Sequence, residues 1–344
     1  MTRRPIRSSA VSSGKDSRSS DRSSSLCMFG KFQKREIMKM RSFWVGTLAG
    51  VLVLGAGKYA ALTYAEETAS SKNTVPAAQC ADSETAYFCE TTPEKTVRLR
   101  CGEKTIWELH LQAPEGKPYI GPLCLPDGRD VALLRPKDHV WHLGAWFSWK
   151  YLNGVNYWEP SHGKTKLADH SVKFDGAAAE VTLHLVYFDA RDPGKIVLSE
   201  ERVISFSAPD ETGSYAMTSR HRFTAGEKDV KLDRTPPHSH GGGYAGLAFR
   251  MSPTLSAFEL KCENGETEMT KIREKSASWI EYREKETGLG VRMTVLKGTP
   301  ETRFYAQHRE NYCFVNPCPV LTAPRTIPAG ETLELAYEIH LGKR

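Results

Sequence analysis

The chain has 344 residues, of which 40% are hydrophobic and 26% charged, a composition typical of a globular protein. Its formal charge of +6 is concentrated at the start, because residues 1–41 carry 11 Lys and Arg against 3 Asp and Glu, which leaves −2 for the rest. The rest of the chain is close to neutral, so the overall positive charge does not support nucleic-acid binding. We therefore expect no nucleic-acid partner.

The first segment, residues 1–37, is predicted to be a disordered basic tail. Residues 1–25 contain ten serines and few apolar side chains, so they cannot bury a core. Met38 or Met40 would make a normal start for the export signal that follows. We therefore hypothesise that the tail is an over-extended start of the gene.

Residues 38–65 resemble an export signal. A short basic region precedes roughly 15 apolar or small residues, which is short for a membrane span of about 20. Thr63-Tyr-Ala65 is a candidate cleavage site. The alternative is an uncleaved N-terminal anchor, which would be the protein's sole membrane contact. Both interpretations predict an exported protein, either periplasmic or secreted.

Residues 66–84 are predicted to be a linker, and residues 85–344 a single all-β domain. Many short segments alternate with period two, and turn residues separate them. The predicted strands are Thr96–Arg100, Ile106–Leu111, Val181–Phe188, Glu201–Phe206, Tyr215–Thr218, Ala257–Cys262, Ala277–Tyr282, Gly290–Leu296 and Thr332–His340. The turn signals are Pro126-Asp-Gly128, Asn153-Gly154, Asp192-Pro-Gly194, Glu263-Asn-Gly265 and Pro328-Ala-Gly330. This pattern favours a large antiparallel β-sandwich.

Seven cysteines follow the export segment, namely Cys80, Cys89, Cys101, Cys124, Cys262, Cys313 and Cys318. In an exported protein, Cys80–Cys89 and Cys313–Cys318 are candidate short-loop disulfides. The odd number leaves at least one thiol unpaired.

The densest group of chemically active residues lies within residues 135–158. His139 and His142 follow Asp138, and four tryptophans stand nearby: Trp141, Trp146, Trp149 and Trp158. Aromatic faces stack on the apolar faces of sugars, while polar groups fix the hydroxyls. The alternative is that these aromatic side chains fill the core between two sheets. Their density beside two histidines favours a ligand site.

A second group lies within residues 234–250. His238 and His240 stand two residues apart before three consecutive glycines, and Tyr244 and Arg250 follow. The prolines and glycines indicate an irregular loop that leads into a strand. A solvated turn with incidental histidines is the competing interpretation.

Two kinds of chemistry suit these histidines. An imidazole paired with a carboxylate such as Asp138 or Glu159 can move a proton to and from a sugar oxygen. Four imidazoles, from His139, His142, His238 and His240, could also bind Cu or Zn if the two loops meet. The sequence by itself requires no cofactor. A third segment, residues 305–312, offers His308 and Glu310, for which a surface turn is the alternative.

The chain resembles the DUF6807 family over about residues 95–342. The resemblance rests on Lys117-Pro-Tyr-Ile-Gly-Pro-Leu123, Pro136-Lys-Asp-His-Val-Trp-His-Leu-Gly144, Asn153-Gly-Val-Asn-Tyr-Trp158, Tyr244–Arg250 and Ile327–Leu333. The family run reads approximately Asp-His-Pro-His-His-Arg-Gly, so Asp138, His139, His142 and Gly144 match while Trp141 replaces a histidine. The family label, "methane oxygenase PmoA"-like, implies an oxidative metalloprotein. The strand pattern is similar instead to the galactose-mutarotase-like supersandwich, which implies a sugar-binding cleft.

Our leading hypothesis is an exported carbohydrate-binding or carbohydrate-active protein with a small-molecule or glycan ligand. His139, His142, His238 and His240 would act with Asp138 in proton transfer or orientation. Arg250 and Tyr244 would position the ligand, and Trp146 and Trp149 would stack on it. A Cu or Zn protein on the histidine pairs and a non-catalytic structural module are the alternatives.

Overall fold

The computed structural model describes residues 86–114, 116–236 and 242–344. The predicted tail, export segment and linker therefore lie outside the described residues, as do His238 and His240. Within the described part, no helix is long and apolar enough to cross a membrane.

Strands make up most of the described chain. In chain order they are β1 (Tyr87–Thr91), β2 (Thr96–Cys101), β3 (Lys104–His110), β4 (Tyr119–Leu123), β5 (Ala145–Ser148), β6 (Tyr151–Leu152), β7 (Val155–Asn156), β8 (Gly163–Asp175), β9 (Ala178–Asp189), β10 (Asp192–Phe206), β11 (Tyr215–Ala225), β12 (Val230–Asp233), β13 (Gly246–Met251), β14 (Glu259–Cys262), β15 (Trp279–Arg283), β16 (Gly290–Val295), β17 (Arg303–Arg309), β18 (Tyr312–Cys318), β19 (Arg325–Ile327) and β20 (Thr332–Gly342). One α-helix, α1 (Met269–Glu274), and a 3-10 helix (Pro253–Ala257) interrupt them.

The strands form two eight-stranded sheets and one small sheet. The first sheet has the order β1-β2-β3-β4-β5-β13-β18-β17, and the second has the order β14-β15-β16-β20-β11-β10-β9-β8. Neighbouring strands run antiparallel, and apolar side chains from both sheets meet in one main core. The predicted all-β antiparallel sandwich is confirmed.

The long strands of the second sheet show why the sequence folds this way. In β9, Val181, Leu183, Leu185 and Tyr187 are buried, whereas the intervening His184 is exposed. Successive side chains of a strand point to opposite faces, so this alternation turns every second residue into the core. Each fully buried side chain of this size contributes about 1.5–3 kcal/mol.

The small sheet has the order β19-β12-β6-β7 and confirms one turn prediction. Asn153-Gly154 joins β6 to β7, with φ of 49° and 81° respectively. Positive φ at both central residues is the requirement of a tight two-residue hairpin turn, which Asn-Gly meets at low cost.

The turn signal at Asp192-Pro-Gly194 was wrong. The chain reverses at Ala190 and Arg191, and β10 already begins at Asp192. The pairing of β10 with β9 is irregular between Asp192 and Leu198, and this bulged, exposed start of the strand tolerates a proline.

A charged network lies inside the main core. Glu200 accepts hydrogen bonds from Arg202 Nε at 2.7 Å, from His221 Nδ1 at 2.7 Å and from the Tyr187 hydroxyl. Ser219 Oγ lies 2.8 Å from His221 Nε2. These atoms have the order of a serine–histidine–acid triad, but the Glu200 and His221 side chains are 0% exposed. No substrate can reach them, so the network is structural.

The predictions of a Cys80–Cys89 and a Cys313–Cys318 disulfide were wrong. Cys89, Cys313 and Cys318 are free thiols, while Cys101 is disulfide-bonded. Cys313 and Cys318 share β18, where five residue steps of extended chain separate them by about 17 Å. A disulfide requires Cα atoms within about 7 Å, so this strand cannot bridge its own cysteines.

Candidate functional site

The outer face of the first sheet carries a second apolar cluster. Trp146, Ala248, Tyr305 and Phe314, from β5, β13, β17 and β18, belong to it, and their chain neighbours point into the main core. The period-two alternation thus gives these four strands two buried faces. A cleft opens above this second cluster.

The cleft has a volume of about 570 Å³. Its lining is aromatic with scattered polar groups: His139, Trp141, His142, Trp158, Tyr244, Met269, Thr270, Arg273, Tyr305, Gln307, Arg309, Tyr312 and Phe314. A second groove, of about 480 Å³, lies beside the small sheet, but its lining contains neither histidine nor aromatic residues. The aromatic cleft is therefore the better candidate site.

The loop between β4 and β5 brings the two histidines to the cleft. Two turns, closed by the hydrogen bonds from His139 N to Pro136 O and from His142 N to His139 O, shape it. Gly144 then returns the chain to β5 with φ of 64°, and a Cβ there would lie 2.6 Å from Ile120 O. The position therefore requires glycine.

Asp138, His139 and Arg250 form one hydrogen-bonded group at the edge of the cleft. His139 Nδ1 donates to Asp138 Oδ2 at 2.9 Å, and Arg250 Nη2 donates to the same oxygen at 3.0 Å. The guanidinium carbon of Arg250 also lies 3.7 Å from the centre of the Tyr312 ring. The structure thus brings Arg250 to the adjacent pair Asp138 and His139, although more than 100 residues separate them in the sequence.

Asp138 is ionised in this group. Burial opposes its charge, but the hydrogen bond from His139 and the positive charge of Arg250 outweigh that effect and hold its pKa below the usual value. An ionised Asp138 fixes the proton of His139 on Nδ1, which leaves Nε2 as the basic nitrogen.

His142 differs from His139. It is 3% exposed, and its ring stacks between His139 and Phe314 at centroid distances of 4.5 and 5.4 Å. Burial, together with the charges of His139 and Arg250, lowers its pKa to about 3. Its Nδ1 is buried without a hydrogen-bond partner among the described residues. His142 is therefore a neutral imidazole and a poor base at neutral pH.

A second carboxylate, Glu159, supports the other side of the cleft. It accepts hydrogen bonds from Lys150, from Asn156 Nδ2 at 2.7 Å and from the Tyr244 hydroxyl at 3.0 Å. Burial raises its pKa, but these partners and the charge of Lys150 outweigh burial and lower the pKa overall. Glu159 is thus a charged anchor that orients Tyr244.

Trp146 and Trp149 do not line the cleft. Trp146 is 1% exposed and lies beneath His142, with ring centroids 5.0 Å apart. Trp149 is 0% exposed in the main core, where it packs against Phe147 and Phe223. The alternative considered for these tryptophans, core packing, describes both positions.

The structure bears on the metal hypothesis only through His139 and His142, because His238 and His240 lie outside the described residues. Among the residues that are described, no group of three or more His, Cys, Asp or Glu side chains is placed to hold a metal ion. Convergence of the two histidine pairs stays a prediction.

Sequence reasoning named the segment 305–312 for His308 and Glu310, and it missed the residues of β17, β18 and α1 that line the cleft. Tyr305, Gln307 and Arg309 alternate along β17 toward the cleft, whereas His308 turns away and its Nε2 lies 3.0 Å from Ser256 O. The period-two pattern of residues 303–309 was the available signal. Arg273 comes from α1, a six-residue helix with no visible pattern.

Fold and site together define an all-β sandwich protein with an aromatic cleft on the outer face of one sheet. The chain belongs to DUF6807, a family of unknown function, which matches residues 96–344. No curated protein matches it.

Several solved structures align with part of the chain. The galactosidase domain of an α-galactosidase–sucrose kinase aligns with 11% identity and a TM-score of 0.42 over 74% of this chain and 42% of that one. The α-galactosidase from Lactobacillus brevis aligns with 9% identity and a TM-score of 0.38 over 75% of this chain and 39% of that one. The Slr1438 protein from Synechocystis sp. PCC 6803 aligns with 8% identity and a TM-score of 0.40 over 74% of this chain and 98% of that one. The chain thus spans about two fifths of each galactosidase structure, and function must be argued from the site itself.

Proposed function

We propose that the protein binds a carbohydrate in the aromatic cleft and uses Asp138 and His139 as a proton-transfer pair. The observation that carries the proposal is the lining, in which the exposed parts of Trp141 and Tyr312 adjoin Gln307, His139 and two arginines. Sugars need apolar surfaces for their C–H faces and polar groups for their hydroxyls, and the cleft offers both.

The roles of the histidines follow from their surroundings. His139 is half-buried and can accept a proton on Nε2 while Asp138 stabilises the resulting charge. Arg250 holds Asp138 in place by a hydrogen bond, and the Tyr312 ring packs against the guanidinium group of Arg250. His142, neutral and buried, serves as a hydrogen-bonding and packing group rather than as the base.

Binding is tested with a glycan array and then by calorimetry on the glycans that bind. We expect His139→Ala and Gln307→Ala to weaken binding by about tenfold, the value of one hydrogen bond to a polar ligand. His184→Ala is the matched control, because His184 is an exposed histidine on the second sheet. If wild-type protein binds no glycan, or if the control weakens binding equally, the proposal fails.

Catalysis is a separate question for the same site. Glycans that bind are screened for mutarotation by polarimetry and for hydrolysis by chromatography. With general acid–base catalysis by His139, His139→Ala and Asp138→Asn should lower kcat by about 10²–10⁴-fold. Turnover that is unchanged in both variants would remove the proton-transfer role and leave a binding module.

We also propose that the protein is exported. The apolar segment within residues 38–65 supports this, and so does the disulfide-bonded Cys101, because disulfides persist in oxidising compartments. N-terminal sequencing of the protein from its native cell tests export and start site together. We expect either a start after Ala65 or an intact anchor that begins at Met38 or Met40, whereas a mature start within residues 1–37 contradicts the over-extended gene start.

A further inference from the structure

The charged side chains in the lining of the cleft are all basic. Its titratable lining residues other than tyrosines are His139, His142, Arg273 and Arg309, and no carboxylate stands among the described lining residues. The adjacent carboxylates are already compensated, since Asp138 pairs with Arg250 and Glu159 with Lys150.

The two arginines of the lining lack ionic partners among the described residues. The guanidinium carbon of Arg273 lies over the Tyr305 ring, 4.0 Å from its centre, and Arg273 Nε is buried without a hydrogen-bond partner among the described residues. Arg309 is exposed at the end of β17. Several other arginines of the described residues pair with carboxylates, as Arg129 does with Glu284 at 2.6 Å and Arg292 with Glu281 at 3.0 Å.

From this arrangement we infer that the ligand is an anionic sugar, one that bears a carboxylate or a sulfate group, held by Arg273 and Arg309. The inference rests on the proposed function and names its substrate class. A guanidinium group presents paired N–H donors that match the oxygens of carboxylate and sulfate.

The strand geometry fits such a ligand. Tyr305, Gln307 and Arg309 stand on one face of β17, and the four residue steps from first to last span about 13 Å. A sugar bound beside β17 therefore has Gln307 for its hydroxyls and Arg309, two residues further along the same face, within reach of its acidic group.

Calorimetry on the full chain tests the inference with four probes: a neutral oligosaccharide, its hexuronate counterpart, its sulfated counterpart, and acetate or inorganic sulfate alone. We expect the acidic sugars to bind at least tenfold more tightly than the neutral one at low salt, with the advantage shrinking as salt rises. Comparison of the hexuronate with the sulfated sugar identifies the acidic group.

Arg273→Gln and Arg309→Gln should each remove about tenfold of the advantage that acidic sugars have over the neutral one. Arg220→Gln, an exposed arginine of β11 on the second sheet, is the matched control.

The outcomes separate this inference from the proposed function. Equal binding of neutral and acidic sugars, unaffected by Arg273→Gln and Arg309→Gln, overturns the inference and leaves the carbohydrate site standing. If acetate or inorganic sulfate binds but no sugar binds, neutral or acidic, both the inference and the proposed function are overturned, because the site would then recognise charge alone. Circular dichroism of both variants checks that they are folded, and Arg309→Gln, at an exposed position, keeps the test valid if Arg273→Gln fails to fold.

Discussion

His142 shows at the scale of one residue how the site differs from a core. An aromatic ring of the same size would fill the space between His139 and Phe314 equally well. The imidazole instead buries a nitrogen that has no hydrogen-bond partner among the described residues, which costs about 1–3 kcal/mol. A group that lowers stability within a cleft is typical of residues kept for binding.

We predict that His142→Phe unfolds less readily in acid than the wild type does. Unfolded histidine binds a proton below pH 6.5, whereas folded His142 does so only below about 3. The free energy of unfolding therefore falls as pH falls through that window, by up to about 1.4 kcal/mol per pH unit from this group. Urea unfolding at pH 7, 5.5 and 4 should show a shallower loss for His142→Phe. His184→Phe is the control, and equal slopes in all three proteins would contradict the prediction.

The strand β17 shows at the scale of an element how one segment serves two environments. Phe304 and Ala306 are 0% exposed in the main core, while Tyr305 and Gln307 face the cleft. The backbone alternation alone assigns these residues to different tasks. Positions on the two faces of β17 should therefore lose very different amounts of stability on the same substitution.

We expect Ala306→Asp to lower the free energy of unfolding by at least about 3 kcal/mol, because it places an unpaired charge in the core. Arg309→Asp, on the exposed end of the same strand, should change it by no more than about 0.5 kcal/mol. It should nevertheless weaken the binding of acidic glycans. Denaturant titration and calorimetry measure the two effects, and equal destabilisation by both substitutions would refute this assignment of faces.

The buried network around Glu200 belongs to the scale of the whole molecule. It links β9, β10 and β11 within the second sheet, and the Arg202 guanidinium carbon reaches across the core to lie 5.4 Å from the centre of the Phe147 ring of the first sheet. Burial raises the pKa of Glu200, but the charges and hydrogen bonds of Arg202 and His221 outweigh it and bring the pKa to about 2. The pairing of the two sheets thus depends on a charge that is fully compensated.

Glu200→Ala should destabilise the fold by about 3–5 kcal/mol, because Arg202 would keep a buried and uncompensated charge. Glu201→Ala, one residue later on the exposed face, should have little effect. Thermal unfolding compares the two variants. A loss below 1 kcal/mol for Glu200→Ala would mean that the network does not hold the core together.

The sequence by itself determined the fold class and located the segment that carries Asp138 and His139. Alternating apolar residues separated by Gly, Pro and Asn specify strands and turns locally, so the antiparallel sandwich could be predicted. The match of residues 136–144 to a family motif drew attention to Asp138 and His139, which the structure places together at the edge of the cleft.

Only the tertiary structure decided which aromatic and charged groups surround that pair. Trp149 and Trp141 look alike in the sequence, yet one is buried in the core and the other lines the cleft. Trp141 lies in the loop between β4 and β5, whereas Trp149 directly follows β5, so the path of the folded chain sets what each ring meets. Arg250, Arg273 and Arg309 come from different elements, so their convergence depends on how β13, α1 and β17 pack. Local pattern specifies elements, whereas the charge of a cleft arises from long-range packing that no local pattern encodes.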